Sequence, residues 1–235
     1  MIQPIVLIDS GIGGLSILKP IQTMLPNENI LYLGDTANMP YGQKSTKAIQ
    51  QLTKRMIQYV LKYHPKLIIP ACNTISSCLE PNIPIPTINI LAVTLRQIPK
   101  DCIIVATPKT NSSLNWYRKI SCPTLASTIE HQLDIDNAIN TELNILNFYD
   151  SLVLLGCTHY ALITNRLQSK FPKHTFITQG NIVAQYTKHL LAKLHLENQD
   201  PGGNTTCLFT GRNNAERYLE SLNIKSELYR IKGGK

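Results

Sequence analysis

Leu67-Ile68-Ile69-Pro70-Ala71-Cys72-Asn73-Thr74 returns in the same pattern as Leu152-Val153-Leu154-Leu155-Gly156-Cys157-Thr158-His159. Each stretch is a short apolar run, then one small residue, a cysteine and two polar residues. A short run without alternation reads as a strand buried on both faces, which is the habit of parallel sheets. The echo extends upstream. A strand ending in Asp9-Ser10-Gly11 opens the first half, and one ending in Ala106-Thr107-Pro108-Lys109-Thr110 opens the second. The expectation is two related lobes, each carrying one cysteine at a strand's carboxyl end, with a cleft between them that turns the two thiols toward each other.

Working outward, comparable runs fall at residues 4–8, 30–33, 67–69, 102–105, 151–155 and 175–177, with 85–88 and 207–209 as further candidates. Helix-period stretches separate them. Ala48, Ile49, Leu52, Met56, Ile57, Val60 and Leu61 predict an amphipathic helix over 45–63, and Trp116 and Tyr117 within 114–120 are expected on a helix face. Strands alternating with helices give an α/β fold of two pseudosymmetric lobes, each a mainly parallel sheet flanked by helices. In such sheets the site lies at the carboxyl ends of the strands. The proline-rich stretch 81–86 is a connector that bounds a first unit near residue 90.

The chain has 235 residues, 43% hydrophobic and 16% charged, and none of its apolar runs approaches the roughly 20 residues a membrane span requires. Its formal charge is 23 − 15 = +8. The basic residues are dispersed, however. The tightest groups are Lys44, Lys47, Lys54 and Arg55, and Arg230, Lys232 and Lys235, with no interleaved aromatic platform, which argues against nucleic acid as the main partner. Met1-Ile2-Gln3-Pro4 runs straight into an apolar strand without a basic leader segment, so a cytoplasmic chain with free thiols is expected. The six cysteines form no Cys-x-x-Cys pair, and Cys157-x-His159 lacks a matching second pair, so no metal is expected.

Cys102 and Cys207 sit inside apolar runs, as packing cysteines do. Cys72 and Cys157 instead follow a strand and start a helix, where free N–H groups and the dipole favour a thiolate. Asp9-Ser10-Gly11-Ile12-Gly13-Gly14 likewise opens a helix. Its spacing is wrong for a dinucleotide fingerprint, but its N–H groups suit a small anionic ligand. Asp35, in Gly34-Asp35-Thr36, is either a turn or cap residue or, with Asp9 and His159, a group that holds a proton or orients a base. His64, His131, His174, His189 and His195 have no comparable context. Two thiols on opposite faces of a carbon acid can take a proton from one side and return one from the other, inverting a stereocentre without a cofactor.

These residues carry a family resemblance. Asp9-Ser10-Gly11-Ile12-Gly13-Gly14-Leu15-Ser16, Gly34-Asp35-Thr36 with Pro40-Tyr41-Gly42, Ala71-Cys72-Asn73-Thr74 and Leu155-Gly156-Cys157-Thr158-His159-Tyr160 resemble, in order, the signature motifs of glutamate racemases. Residues 106–112 resemble a further family segment, and Glu130 falls where the family often has glutamate. The resemblance implies a cofactor-independent enzyme that interconverts L- and D-glutamate for peptidoglycan. It implies Cys72 and Cys157 as the acid/base pair, with Asp9 and His159 assisting them or holding the substrate ammonium. Asn73, Thr74 and Thr110 would bind the α-carboxylate, Thr158 would help with the amino group, and Ser10, Tyr41 and Gly42 would receive the side-chain carboxylate, with Asp35 and Glu130 in support.

It also implies lobes of 1–91 plus 187–235 and of 92–186, and a homodimer is expected on symmetry grounds. Three features depart from the family pattern: Ala161 replaces a common proline, His131 and Gln132 follow Glu130, and Gln179-Gly180-Asn181 replaces an acidic helix start. Three rival readings stay open at this stage. They are a racemase of another acidic amino acid such as aspartate, a cysteine-nucleophile hydrolase or single-cysteine decarboxylase of similar fold, and a basic binding protein.

Overall fold

Apolar runs of four and five residues become strands whose every residue is buried or nearly so, because helices cover both faces of each sheet. The computed structural model describes residues 3–116, 118–148, 151–211 and 214–231. The first half runs β1 (Ile5–Asp9), α1 (Leu15–Met24), β2 (Ile30–Gly34), α2 (Thr46–Leu61), β3 (Leu67–Pro70), α3 (Asn73–Ser77) and α4 (Ile90–Leu95). There follow β4 (Ile103–Ala106), α5 (Pro108–Ser112), β5 (Lys119–Ser121), α6 (Leu125–Glu130), α7 (Ile135–Leu143), β6 (Leu152–Leu155), α8 (Thr158–Ala161), α9 (Thr164–Lys170) and β7 (Thr175–Ile177). The chain closes with α10 (Gly180–Leu194), β8 (Thr205–Phe209), α11 (Ala215–Ser221) and β9 (Glu227–Arg230).

Two parallel sheets result, ordered β3-β1-β2-β8-β9 and β5-β4-β6-β7. Alternate residues of each strand feed opposite cores. Ile5, Leu7, Ile30, Tyr32, Leu67 and Ile69 pack with α1, α10 and α11, while Val6, Ile8, Leu31, Leu33 and Ile68 meet Ile49, Met56 and Val60 of α2. In the second sheet Ile103, Val105, Val153 and Leu155 pack against α6, α7 and α9. Ile104, Ala106 and Leu154 meet Leu91, Ile98 and Leu114 on the other face. No helix among the described residues is long and apolar enough to cross a membrane.

Three local expectations need correction. Residues 85–88 form no strand; they contribute a single bridge between Ile68 and Thr87, as expected of a segment whose prolines withhold N–H groups. Residues 114–120 are not a helix but a connector into β5, in which Trp116 Nε1 donates to Cys102 O at 2.8 Å; Tyr117 lies outside the described residues. Strands β5 and β9 were not foreseen, because Lys-Ile-Ser and Glu-Leu-Tyr-Arg are short polar segments on sheet edges. The expected joins at 91/92 and 186/187 fall within α4 and α10. The second of these helices leaves β7 and packs along α1, placing Val183, Ala184 and Leu191 in the first sheet's core.

That packing depends on Gly180. A Cβ there would stand 2.6 Å from Ser16 O and 2.7 Å from Pro20 Cγ. Gly180→Ala is therefore expected to destabilise the fold by about 1–3 kcal/mol through overpacking, although alanine is the better helix former by about 1 kcal/mol. Chemical denaturation checks the sign, and an unchanged or raised midpoint contradicts the close approach of α1 and α10.

Candidate functional site

Both echoing cysteines end at equivalent places. Cys72 follows β3 and caps α3, Cys157 follows β6 and caps α8, and both have extended backbones there. Each is only 7% exposed. The end of β1 supplies Asp9, and the turn after it supplies Ser10.

The neighbours of the two thiols differ. Cys72 Sγ lies 3.4 Å from Ser10 Oγ. Burial, with Asp9 adding its negative charge, pushes its pKa up to about 12, so it carries a proton at neutral pH. Cys157 Sγ instead faces His159 Nδ1 at 3.9 Å, and His159 Nε2 is paired with Glu130 Oε2 at 2.7 Å. Burial alone would lower the His159 pKa. The hydrogen bonds and charges of Cys157 and Glu130 outweigh burial and carry it well above the ordinary value. Asp9 is fully buried; desolvation raises its carboxyl to about 6 against the pull of His159 and of Gly11 N–H, which donates to Asp9 Oδ1 at 2.7 Å.

Two N–H groups of the glycine turn are taken by the protein's own carboxylates. Gly11 N–H goes to Asp9, and Ile12 N–H donates to Glu130 Oε2 at 3.0 Å, so the anion at this helix start is the protein's own carboxylate. Close approach dictates two of the glycines. A Cβ on Gly11 would meet Glu130 Cδ at 2.8 Å, and one on Gly13 would meet His159 Cε1 at 2.8 Å.

A chain of hydroxyls closes another side of the site. Thr74 Oγ1 lies 3.2 Å from Thr107 Oγ1, which donates to Thr110 Oγ1 at 3.1 Å. Gly42 packs in the same place, with Thr107 close enough that a Cβ would stand 3.2 Å from it. Asn73 Nδ2 donates to Gln179 Oε1 at 2.6 Å. Thr158 is 2% exposed next to Cys157, and its carbonyl accepts from Ser16 Oγ at 3.0 Å. Asp35 sits apart as a bracket: it accepts from Tyr41 OH at 2.6 Å, Thr210 Oγ1 at 2.7 Å and Asn38 Nδ2 at 3.0 Å. Tyr41 thus spends its hydroxyl on Asp35, and its ring joins the core under α2. Sequence reasoning did not single out Thr107 or Gln179 as site residues. Thr107 before Pro108 carried a usable signal, that of a helix cap followed by proline at the first helical position.

No family model matches the chain. A glutamate racemase of Lactobacillus helveticus is 33% identical over 217 aligned positions, covering 81% of this chain and 81% of that protein. One from Clostridium novyi is 30% identical over 247 positions, covering 93% and 95%. Among solved structures, glutamate racemase from Francisella tularensis in complex with D-glutamate superposes with a TM-score of 0.84 at 26% identity, over 99% of this chain and 98% of that one. A glutamate racemase isoform from Bacillus anthracis gives 0.85 at 23% identity over 98% and 97%, a likeness of fold.

A carboxyl raised from 3.8 to about 6 is harder to ionise folded than unfolded. It costs stability as pH rises between those values, and the full cost, on the order of 3 kcal/mol, applies above them. Asp9→Asn keeps an acceptor for Gly11 N–H and removes that cost. Its unfolding free energy is expected to exceed the parent's at pH 7.5, with the gap narrowing below pH 4. A variant less stable than the parent at pH 7.5 contradicts the raised carboxyl.

Proposed function

The chain belongs to the glutamate racemase family of isomerases, and from that footing we propose that it interconverts L- and D-glutamate by proton exchange between Cys72 and Cys157. The observation that carries the reading is the pairing of two buried cysteines at equivalent strand ends of separate parallel sheets, with a carboxylate beside one and an imidazole beside the other.

In the resting site Cys72 holds a proton, and Cys157 stands beside a protonated His159. Entry of L-glutamate with its Cα–H toward Cys157 lets that sulfur take the proton, while the Cα–H electron pair moves into the α-carboxylate as an enediolate. Cys72 then gives its proton to the opposite face. One proton leaves and one arrives, so the stereocentre inverts with no net redox change. The reverse direction exchanges the roles of the two sulfurs, Cys72 taking the proton and Cys157 returning one to the opposite face.

A general base contributes about 10²–10⁴-fold, which does not suffice for an amino acid's α-proton. Preorganised donors must stabilise the enediolate. We assign that task to the hydroxyl of Thr110, whose proton is left free at the end of the Thr74–Thr107–Thr110 chain, and to the second N–H of Asn73 Nδ2. Thr158 and Asp9 take the ammonium. Ser10 and the main chain at Tyr41 and Gly42 take the side-chain carboxylate, the Tyr41 hydroxyl being committed to Asp35. The same proposal includes lobes of 1–91 plus 187–235 and 92–186, a homodimer, and a cytoplasmic role supplying D-glutamate for peptidoglycan.

Incubation with D- or L-glutamate in D₂O, without added cofactor, is expected to erode optical rotation while deuterium enters Cα. Cys72→Ser and Cys157→Ser should each reduce both signals by about 10²–10⁴-fold. Full activity in either variant removes the two-base assignment, and turnover of aspartate in preference to glutamate reassigns the substrate.

A further inference from the structure

Gln179 joins turns from the two sheets. It precedes α10, is 2% exposed, accepts from Asn73 Nδ2 at 2.6 Å and donates through Nε2 to Thr94 Oγ1 at 3.1 Å. The direction of both bonds is forced. Thr94 spends its one hydroxyl proton on Ile90 O at 2.8 Å, so toward Gln179 it can only accept. The amide of Gln179 must then turn its NH₂ to Thr94 and its oxygen to Asn73, and Asn73 must answer with its own NH₂. What is left over is Asn73 Oδ1, buried and without a hydrogen-bond partner among the described residues.

A buried carbonyl acceptor with no donor is costly unless a ligand completes it. Asn73 follows Cys72 directly and starts the same helix, α3. Of the groups that glutamate carries at neutral pH, only the ammonium can donate to it. We propose that Gln179 is a positioning residue that fixes the Asn73 amide so that Asn73 Oδ1 receives the substrate ammonium. This inference rests on the glutamate reading above and adds a source of selectivity: preference for an amino dicarboxylate over a dicarboxylate without nitrogen. Gln179 touches no substrate in this scheme. It acts through Asn73, and Thr94 acts one bond further back.

Glutarate, which lacks only the ammonium, separates this role from general support of the fold. The measurements are KM and kcat for D- and L-glutamate and the inhibition constant of glutarate, on the parent protein and on Gln179→Leu, Gln179→Glu and Thr94→Val. Gln179→Leu is expected to reduce the preference for glutamate over glutarate by about tenfold or more, mainly through KM, with glutarate inhibition little changed. Thr94→Val is nearly isosteric and frees the Gln179 amide to turn, so it should shift the preference in the same direction. Gln179→Glu still accepts from Asn73 and should retain more of the preference than the leucine variant.

An unchanged preference in folded Gln179→Leu overturns the proposal, as does an equal loss for glutamate and glutarate. If Gln179→Leu does not fold, an unchanged preference in Thr94→Val overturns it instead. A parent protein that fails to racemise glutamate overturns the functional reading itself, whereas one that racemises glutamate but binds glutarate equally well overturns only the role of Gln179.

Discussion

One carboxylate oxygen, Glu130 Oε2, accepts both Ile12 N–H and His159 Nε2. The first donor belongs to the glycine turn after β1, the second to α8, which follows β6, so this atom ties the carboxyl ends of the two sheets together. A buried carboxylate persists only when its charge is answered, and here an imidazolium and a main-chain N–H answer it. Much of the surrounding sequence follows from that contact. Gly11 and Gly13 lack side chains because Glu130 and His159 occupy the space, and the imidazole, fixed through Nε2, turns Nδ1 toward Cys157. From behind, Asn214 Nδ2 donates to Glu130 O at 3.2 Å and Tyr218 OH to Ile129 O at 3.3 Å. A segment lying between β8 and β9 of the first sheet therefore braces a residue of the second half.

The scaffold is nearly symmetric, but its electrostatics are not. Two cysteines in matching turns acquire different neighbours, a carboxylate and a hydroxyl for Cys72 and an imidazole for Cys157, while burial keeps Cys72 protonated. Desolvation then magnifies the difference, since charges interact more strongly out of water. The arrangement is costly to the fold. Asp9 Oδ2, Asn73 Oδ1 and Glu130 Oε1 are all buried without hydrogen-bond partners among the described residues. Orphans gathered around two thiols are the mark of a site shaped for a ligand rather than for stability.

How much was legible beforehand depended on the kind of signal. Buried strands announced themselves, because four apolar residues in a row have few other places to go; β1, β2, β3, β4 and β6 were foreseen on that ground, and the short edge strand β7 from a three-residue run. Edge strands β5 and β9 were not, since half-exposed polar residues look the same in a strand as in a loop. Asp35 and Tyr41 were recognisable as members of a motif, yet nothing local told that the tyrosine hydroxyl would close on the aspartate. Gln179 stood out solely as a departure from an acidic pattern. Its amide matters because a carboxylate could accept from Asn73 but could not donate to Thr94.

Composition and periodicity by themselves determined the α/β architecture, the two echoing cysteine turns and the separation of Cys72 and Cys157 from the other four thiols. Burial and capping are local properties, and local patterns record them. Tertiary structure alone decided that Glu130 meets Ile12 across 118 positions and that Asn73 meets Gln179 across 106. Hydrogen bonds over such spans leave no periodic trace in the chain, because their partners come together only where the two sheets bring their carboxyl ends close.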